Sequence, residues 1–344
     1  MALDIRRGEP DPRAIEELLE AHPAPSQGHR PQWLDILREG LGHRPTPIAA
    51  RRDGQVVGWL PMVETRSLLF GRRIVSLPFV SEAGVLAEDH RTAEALVNEA
   101  EVLAGQSRAA DVEFRHREPV DVDRLNATRR NKVGMTLGLA GNGEAMWSTI
   151  PSKVRNLVRK SEKLGVTTRI GGAELLDPFF RIFARNLRDL GTPVLPKRLF
   201  RCILDRLGDD AEIVVAQYEG RVVASALLVH GRGVTEVPTA SSLRPFNFTN
   251  ANMALYWRLL TRSIERGSET FDFGRSTEDS GPHRFKRQWK AEPHRLGWQR
   301  IDVAANGEPA CREDERFGLA IKAWRRMPIW MTRGLGPMIS RTLC

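Results

Sequence analysis

Residues 213–227 read IVVAQYEGRVVASAL, and residues 48–61 read IAARRDGQVVGWLP. Each stretch consists of two apolar runs joined at an acidic residue and a glycine, Glu219-Gly220 in one and Asp53-Gly54 in the other. An acidic residue followed by glycine between two such runs predicts a β-hairpin with a tight turn. The same hairpin is therefore encoded twice, which is the first indication of a duplicated unit.

Further pairs of segments repeat in the same order. SLPF at 76–79 pairs with EVPT at 236–239, and VEFRH at 112–116 pairs with FDFGR at 271–275. The offsets are nearly constant, at about 160 to 166 residues. Before each hairpin, an Asp-Pro pair also predicts the start of a helix. We therefore predict an internal duplication.

The repeated unit runs strand, two helices, three-strand meander, helix, then a strand and a closing strand. This order predicts an α/β chain with mixed (α+β) sheets. It is the element order of the acyl-CoA N-acyltransferase (GNAT) fold, expected here as two tandem GNAT-like domains. Lys132 to Leu139 is predicted to close the first copy. The predicted domains are 1–145 and 146–310, and a basic amphipathic helical tail follows at 311–344.

Composition indicates a soluble globular protein with anionic partners. Of 344 residues, 41% are hydrophobic and 28% charged, with a net charge of +9. The cysteines Cys202, Cys311 and Cys344 fit neither a disulfide framework nor a metal site, so we expect a reducing compartment and no metal. The first residues lack the apolar core of a signal peptide, and no apolar run approaches the roughly 20 residues of a membrane span. We expect a cytoplasmic protein and leave open a peripheral contact with the inner face of the membrane.

Residues 271–289 read FDFGRSTEDSGPHRFKRQW and predict a short strand, a polar loop and a helix beginning at Pro282. The first turns of that helix carry several basic residues, although positive charge is unfavourable at a helix N-terminus. Local stability therefore does not explain these residues, whereas an anionic ligand at the helix start would. The first copy has no Phe-Lys helix after its VEFRH segment, so the chemistry is predicted in the second domain.

The chain resembles a known family, the FemAB-like proteins associated with exosortase (PEP-CTERM) gene clusters. More distantly it is similar to the Fem-type aminoacyl transferases of peptidoglycan bridge synthesis. The segments that carry the resemblance are RNLVRKSEKLG (155–165), NLRDLGTPV (186–194), SSLR (241–244), NMALYW (252–257), FDFGRST with FKRQW (271–277 and 285–289), and AWRRMPIW with GLGP (323–330 and 334–337).

The resemblance implies two tandem GNAT-like domains and transfer of an aminoacyl group from a charged tRNA to an amine on a nucleotide-linked precursor. Enzymes that use acyl-CoA normally carry a glycine-rich loop whose backbone N–H groups hold the pyrophosphate. Here that place reads SSLRPFNFTNAN, at 241–252, without a glycine. This departure puts acetyl-CoA in doubt. A second departure is SEAG at 81–84, where relatives have a Tyr-Gly-Gly-like segment.

Lys286 is the first catalytic candidate. The resemblance implies this role, because the lysine of a Phe-Lys pair is implicated in catalysis and maps onto Phe285-Lys286. A fixed ammonium could neutralise a phosphate or a developing oxyanion. The alternative is a solvated helix lysine. Asp272 is the candidate general base, with a structural strand aspartate as its alternative.

Other residues are predicted to bind substrate, each with a structural alternative. Arg275 would bind an anionic group or form a salt bridge, and Ser241 and Ser276 would donate hydrogen bonds or be ordinary turn serines. Asn252 and Tyr256 share a helix face and would line the acceptor site, unless Asn252 is only a helix cap or a first-turn residue. The remaining binding candidates are Arg284 and Phe285 beside the lysine, and Arg155 and Arg159 on a basic helix that would track phosphates or simply be solvated.

We therefore predict an enzyme that transfers an acyl or aminoacyl group to an amine on an anionic, sugar-linked cell-envelope or exopolysaccharide precursor. No cofactor is expected, and the acyl donor is left as aminoacyl-tRNA or acyl-CoA. The site is expected between or beside the domains, near Arg275 and Lys286. The alternatives are an acyl-CoA-dependent N-acetyltransferase and a non-catalytic binding component; a nucleic-acid-binding protein is a third. The tail would contact a membrane or pack on the fold.

Overall fold

The computed structural model describes residues 2–67, 71–128, 132–303 and 317–342. Among the described residues, 3-10 helices occur at Gln27–His29, Ala173–Leu175, Gly208–Asp210 and Arg244–Thr249, and the first copy is richer in short strands than the second. In chain order the first elements are β1 (Asp4–Arg7), α1 (Pro12–Ala21), α2 (Gln32–Leu41), β2 (Arg44–Pro45), β3 (Ile48–Arg52), β4 (Gln55–Leu60), β5 (Met62–Ser67), β6 (Gly71–Ser76), β7 (Leu86–Ala87), α3 (His90–Ser107), β8 (Asp111–His116) and β9 (Asn126–Ala127).

The second part of the chain begins with a strand and ends with two helices. Its elements are β10 (Lys132–Gly138), α4 (Gly143–Thr149), α5 (Ser152–Lys163), β11 (Thr167–Gly171), α6 (Leu176–Leu190), α7 (Lys197–Leu207), β12 (Ala211–Tyr218), β13 (Arg221–Gly231), β14 (Val234–Ser242), α8 (Ala251–Glu265), β15 (Thr270–Asp272), β16 (Ser276–Thr277), α9 (Gly281–Gln288), β17 (Glu292–Arg295), β18 (Gly297–Asp302), α10 (Phe317–Arg326) and α11 (Ile329–Ser340).

These elements form two compact units. Unit 1 comprises residues 1–130, 295–313 and 341–344, and unit 2 comprises residues 131–294 and 314–340. Among the described residues, unit 1 holds sheets in the orders β1-β3-β4-β7 and β2-β5-β6-β8-β18-β9. Unit 2 holds one eight-stranded sheet, β11-β12-β13-β14-β15-β10-β16, with β17 paired to β10. The predicted mixed α/β fold is confirmed.

The predicted hairpins of the two copies have the same backbone form. Asp53 and Gly54 both have positive φ angles, 53° and 86°, and so have Glu219 and Gly220, 50° and 71°. Positive φ at both central positions matches the twist of a hairpin with a two-residue turn. The hairpins β3–β4 and β12–β13 therefore correspond, as the sequence repeat predicts.

One strand prediction is wrong. Lys132 to Leu139 does not close the first copy, because β10 pairs antiparallel with β15, joining Thr136 to Asp272, and with β16, joining Val133 to Ser276. Unit 1 instead receives β18, which pairs with β8. β10 follows the first copy in the chain but joins the sheet of unit 2, and β18 follows the second copy but joins a sheet of unit 1. The predicted bounds 1–145 and 146–310 do not include this exchange.

The central strands of unit 2 bury both faces. Val214, Ala224 and Ala226 point into a core shared with α5 and α8. The alternating residue Ser225 points to the opposite face, where its hydroxyl donates to the backbone oxygen of Phe179 on α6. Helices therefore cover both faces of the strands that lead to β14 and β15.

The described part of the tail packs on unit 2. The tail is broken near Pro328, since α10 ends at Arg326 and α11 begins at Ile329. Arg325 donates to the backbone oxygen of Leu190 at the end of α6, and Ser340 donates to that of Val194. Within the described residues, no helix combines the length and apolar content needed to cross a bilayer.

Candidate active site

The candidate site is a sharp turn where two parallel strands part. β14 and β15 pair in parallel only from Val234 to Glu236, opposite Thr270 to Asp272. Beyond that point β14 continues, whereas the chain after β15 turns at Gly274, which has a φ of 71°. The turn leads into β16, whose Ser276 pairs with Val133 of β10. The residues that follow build α9, which carries Lys286 back to the turn.

Lys286 is buried and holds this turn. Its side chain is 7% exposed, and Nζ donates to the backbone oxygens of Gly274, at 2.8 Å, and Arg275, at 3.0 Å. Burial lowers the pKa of Lys286 to about 8; nearby Asp272 partly opposes this effect, and Arg275 adds to it. The solvated-lysine alternative is therefore wrong. The two bonds use two of the three ammonium N–H groups.

Three other predicted residues belong to the same turn. One carboxylate oxygen of Asp272 accepts the backbone N–H of Gly274 at 2.7 Å, so this side chain also shapes the turn. Arg275 is half-buried and gives its backbone oxygen to Lys286. Ser276 lies in β16 rather than in a turn and is 5% exposed. Among the described residues its hydroxyl has no hydrogen-bond partner, which is unusual for a buried polar atom.

An aromatic cluster supports α9 against α8. The ring of Tyr256 stacks on Phe273 at 5.6 Å between centroids and meets Phe285 edge-on at 4.8 Å. Trp289 lies 6.1 Å from Tyr256 and is fully buried. Burial raises the pKa of Tyr256 well above its ordinary value, so the hydroxyl stays protonated. Tyr256 and Phe285 therefore act at least as packing residues that position the helix bearing Lys286.

Two basic residues of α9 serve the loop before it. Arg284 is exposed and donates to the backbone oxygen of Asp279 at 2.6 Å, and Lys286 binds the carbonyls of the turn. The first turn itself is capped by Ser280, whose hydroxyl accepts the N–H of His283. The expectation that local stability cannot explain the basic helix start is therefore wrong for these two residues.

The other predicted binding residues lie apart from this turn in their contacts. Ser241 is buried in β14 and accepts a hydrogen bond from Asn186 of α6 at 3.2 Å, so it is not a turn serine. Asn252 is half-buried in the first turn of α8, where the cap position belongs to Asn250. Asn252 is thus a first-turn residue, as one of its predicted alternatives states, and it is not the helix cap.

The basic helix α5 uses both of its predicted arginines locally. Arg155 donates to the backbone oxygens of Trp147 and Ser148 at the end of α4, at 3.2 and 3.3 Å. Arg159 lies over the ring of Trp147, 5.3 Å from its centroid. These contacts join α4 to α5 and, for the described residues, do not reach Lys286.

Sequence reasoning missed Lys132. This residue begins β10 opposite Thr277, and its Nζ donates to the hydroxyl of Thr277 beside Ser276. It therefore adds a second cation to the β16 side of the turn. Lys132 was overlooked because its strand was assigned to the first copy.

The corresponding place in unit 1 is filled by a buried ion network. Arg115 is fully buried, binds Glu113 at 2.9 Å and donates to the backbone oxygens of Leu77 and Val80. Its guanidinium also lies 4.5 Å from the ring centroid of Trp298. Among the described residues, Arg115 thus binds two backbone carbonyls, as Lys286 does, but unlike Lys286 it also forms a short ion pair with a buried carboxylate, that of Glu113.

Comparisons with known proteins agree with the fold described above. Residues 151–287 match the acetyltransferase (GNAT) domain family. FemX is similar in structure with a TM-score of 0.70 at 15% identity, over 86% of this chain and 97% of FemX. The C-terminal domain (DUF2156) of a putative lysylphosphatidylglycerol synthetase from Agrobacterium fabrum has a TM-score of 0.57 at 12% identity, over 86% of this chain and 92% of its own.

A third solved structure is itself a tandem protein. The tandem GNAT protein from the clavulanic acid biosynthesis pathway has a TM-score of 0.57 at 12% identity, over 89% of this chain and all of its own, 100%. No curated protein matches the chain in sequence. At these identities the structural likenesses concern the fold. The chain therefore has a tandem GNAT fold, and the part of its second unit at residues 151–287 matches the acetyltransferase (GNAT) domain family.

Proposed function

We propose that the chain is a GNAT-type acyltransferase that moves an aminoacyl or acyl group to an amine on an anionic, sugar-linked cell-envelope or exopolysaccharide precursor. The observation that carries this proposal is the buried ammonium of Lys286, held by two carbonyl oxygens where β14 and β15 part. Burial of a cation costs free energy, and groups perturbed in this way cluster at functional sites. This cation lies in the domain that matches the acetyltransferase family.

Acyl transfer to an amine requires stabilisation of the oxyanion that forms when nitrogen attacks the carbonyl carbon. Lys286 can supply it, because its third N–H is not used by any described residue and its charge acts in a low-dielectric setting. The unpartnered hydroxyl of Ser276 is a second donor at the same turn. Arg275 and Lys132 would attract the anionic acceptor to this place.

One structural feature favours an aminoacyl-tRNA as the donor. The segment that would cradle the pyrophosphate of acyl-CoA forms a 3-10 helix from Arg244 to Thr249 instead of a glycine-rich loop. The N–H of Ala251, at the start of α8, donates to the hydroxyl of Thr249. A self-bonded segment without glycine offers few backbone donors to a phosphate.

A second candidate donor is acyl-CoA, and the match of 151–287 to the acetyltransferase (GNAT) domain family favours it. The two donors make different demands on the protein. Aminoacyl-tRNA binding should depend strongly on salt because of its phosphates, whereas acetyl-CoA binding should depend on the segment before α8.

The test compares donor binding and transfer in the wild type and in Lys286→Ala. Aminoacyl-tRNA and acetyl-CoA are each titrated, and transfer is then measured to nucleotide-linked amino sugars by mass spectrometry of the product. Loss of the buried cation should reduce transfer by about a hundredfold or more, as for removal of an oxyanion donor, while binding of the donor changes little. Arg287→Ala, which removes an exposed charge from the same helix, is the matched control.

Each possible result either supports or contradicts the proposal. Transfer from one donor that fails in Lys286→Ala and persists in Arg287→Ala supports the proposal and names the donor. Acceptor binding without transfer, unaffected by Lys286→Ala, would instead indicate a non-catalytic binding component. In that case Lys286 would serve only to clamp the turn.

A further inference from the structure

Helix α11 buries small residues and exposes large apolar ones, which is the reverse of the usual arrangement. Its buried residues are Thr332, Gly336 and Ser340, which recur every four positions and pack toward unit 2. The outer side carries Trp330 and Met338, which are 74% and 63% exposed. A helix on the surface of a globular protein normally buries its large apolar residues. The orientation of α11 therefore leaves an apolar surface that the fold itself does not use.

This apolar surface extends beyond a single residue. Trp330 and Met338 are eight positions apart on one side of the helix, with Gly334 between them. Leu335 is 43% exposed, and Ile339 is 38% exposed. We call the four exposed apolar residues Trp330, Leu335, Met338 and Ile339 the α11 ridge. Exposed apolar residues clustered in this way indicate a binding surface.

The helical tail that carries the α11 ridge is basic. Residues 317–340 contain Lys322, Arg325, Arg326 and Arg333 and no acidic residue. Arg333 lies one helical turn from Trp330 and stacks over the ring of Phe180, at 5.4 Å from its centroid. The ridge is therefore bordered by cations on its α6 side.

A basic cleft continues from this border. The cleft has a volume of about 760 Å³ and lies between α6, the β12–β13 hairpin and α11. Within the described part of the chain, Arg181 and Arg221 form no ion pair, so their charges are open to a ligand. Its arginines are Arg169, Arg181, Arg185, Arg221 and Arg333; of these, Arg169 pairs with Glu174 and Arg185 pairs with Asp189, each at 3.6 Å.

We propose that this face docks on an anionic phospholipid bilayer, with the α11 ridge among the lipid head groups and the cleft arginines on lipid phosphates. Trp and other apolar residues beside Lys and Arg, without acidic residues, form the pattern of an interfacial membrane helix. The attraction of each basic residue to an anionic leaflet adds to that insertion. This inference concerns unit 2 alone and does not depend on the proposed transfer reaction.

A bilayer fits the charges better than a second copy of the chain. A copy would have to bring the same basic face, or an apolar face of its own, against five arginines of the cleft. An anionic leaflet supplies many phosphates at once and accepts aromatic side chains at head-group depth. Docking would bring the protein to lipid-linked molecules without any membrane-spanning helix.

The test is co-sedimentation with vesicles of phosphatidylcholine, with and without phosphatidylglycerol. We expect binding to the vesicles that contain phosphatidylglycerol and weak or no binding to phosphatidylcholine alone, with affinity falling as salt rises. The double variant Arg181→Ser with Arg221→Ser should bind about twenty-five-fold more weakly, at about fivefold for each basic residue removed. Trp330→Ser with Met338→Ser should bind about tenfold more weakly.

Val102→Ser is the control, because Val102 is a 49% exposed apolar residue on α3 of unit 1. All changed residues lie on the surface, so circular dichroism should show the wild-type fold. Wild-type protein that binds neither vesicle, or both equally, would overturn the proposal, as would variants that bind like the wild type. Lipid-free dimers that the Trp330→Ser and Met338→Ser changes abolish would assign the ridge to a second copy instead.

Discussion

Lys286 illustrates how one buried side chain can be both structural and chemical. It fixes the turn after β15 through two carbonyl oxygens, and the same burial lowers its pKa to about 8. The ammonium form predominates below that pH and the neutral amine above it. If the cation stabilises the oxyanion, kcat/KM for acyl transfer should fall as pH rises through about 8. Measurement of kcat/KM between neutral and alkaline pH checks this expectation.

Lys286→Arg provides the control for that profile. A guanidinium stays protonated over the whole range, so the decline near pH 8 should disappear from the variant. The rate at neutral pH should be lower, because a planar guanidinium does not reproduce the two carbonyl bonds of a compact ammonium. A wild-type rate that instead increases through pH 8 would assign Lys286 as a base and contradict its role as the cation.

The turn between β15 and β16 is the element on which the site depends. Gly274 has a φ of 71°, and an added Cβ would lie 3.4 Å from the backbone oxygen of Val237. Gly274→Ala should cost about 1–2 kcal/mol of stability because an L-residue is strained in the left-handed region. It should also reduce transfer disproportionately, because Lys286 binds the oxygens of Gly274 and Arg275. Urea unfolding and initial rates measure the two effects.

Gly281→Ala is the matched change for that experiment. Gly281 begins α9, and an added Cβ there meets no atom within 4 Å. It should leave both stability and transfer near wild type. If Gly274→Ala transfers as well as Gly281→Ala does, the geometry of the turn does not govern the reaction.

At the same scale, local sequence predicted most elements but not how the strands were shared. Asp53-Gly54 and Glu219-Gly220 specify their hairpins through backbone φ angles, which depend on two adjacent residues. The pairing of β10 with β15 depends on residues more than a hundred positions apart, such as Thr136 and Asp272. The short pattern of β10 would suit a strand of either sheet, so the sequence could not assign it.

For the molecule as a whole, the repeat predicted which candidate residues lie together better than individual residue types did. The contrast between the two copies pointed to residues 271–289, and Lys286, Arg275 and Ser276 do meet at one turn. Arg155, Arg159 and Ser241 were selected for their chemistry alone, and the fold uses them in contacts with α4 and α6. Packing decides which polar groups bind a neighbouring element, and composition does not encode these contacts.

Acid should destabilise the protein through unit 1, because the histidines whose pKa is strongly lowered all lie in that unit. Burial lowers the pKa of His29, His43 and His116 to about 4 each, and the three are 5%, 8% and 3% exposed. Their ordinary pKa is 6.5, so the unfolded chain binds more protons than the folded chain between pH 6.5 and pH 4. The free energy of unfolding should therefore fall as pH falls through this window, and the contribution is fully present only above it.

Each of these histidines should cost about 2 kcal/mol of stability between pH 7 and pH 5. Urea unfolding of the full chain at both pH values measures the sum, and His29→Gln should reduce the pH dependence by one share. His90→Gln is the control, since His90 is exposed on α3 of the same unit and should leave that dependence unchanged. A His29→Gln protein with the full wild-type loss at pH 5 would mean that His29 is not held neutral by burial. The loss would then have to come from His43 and His116, whose own glutamine variants would show it.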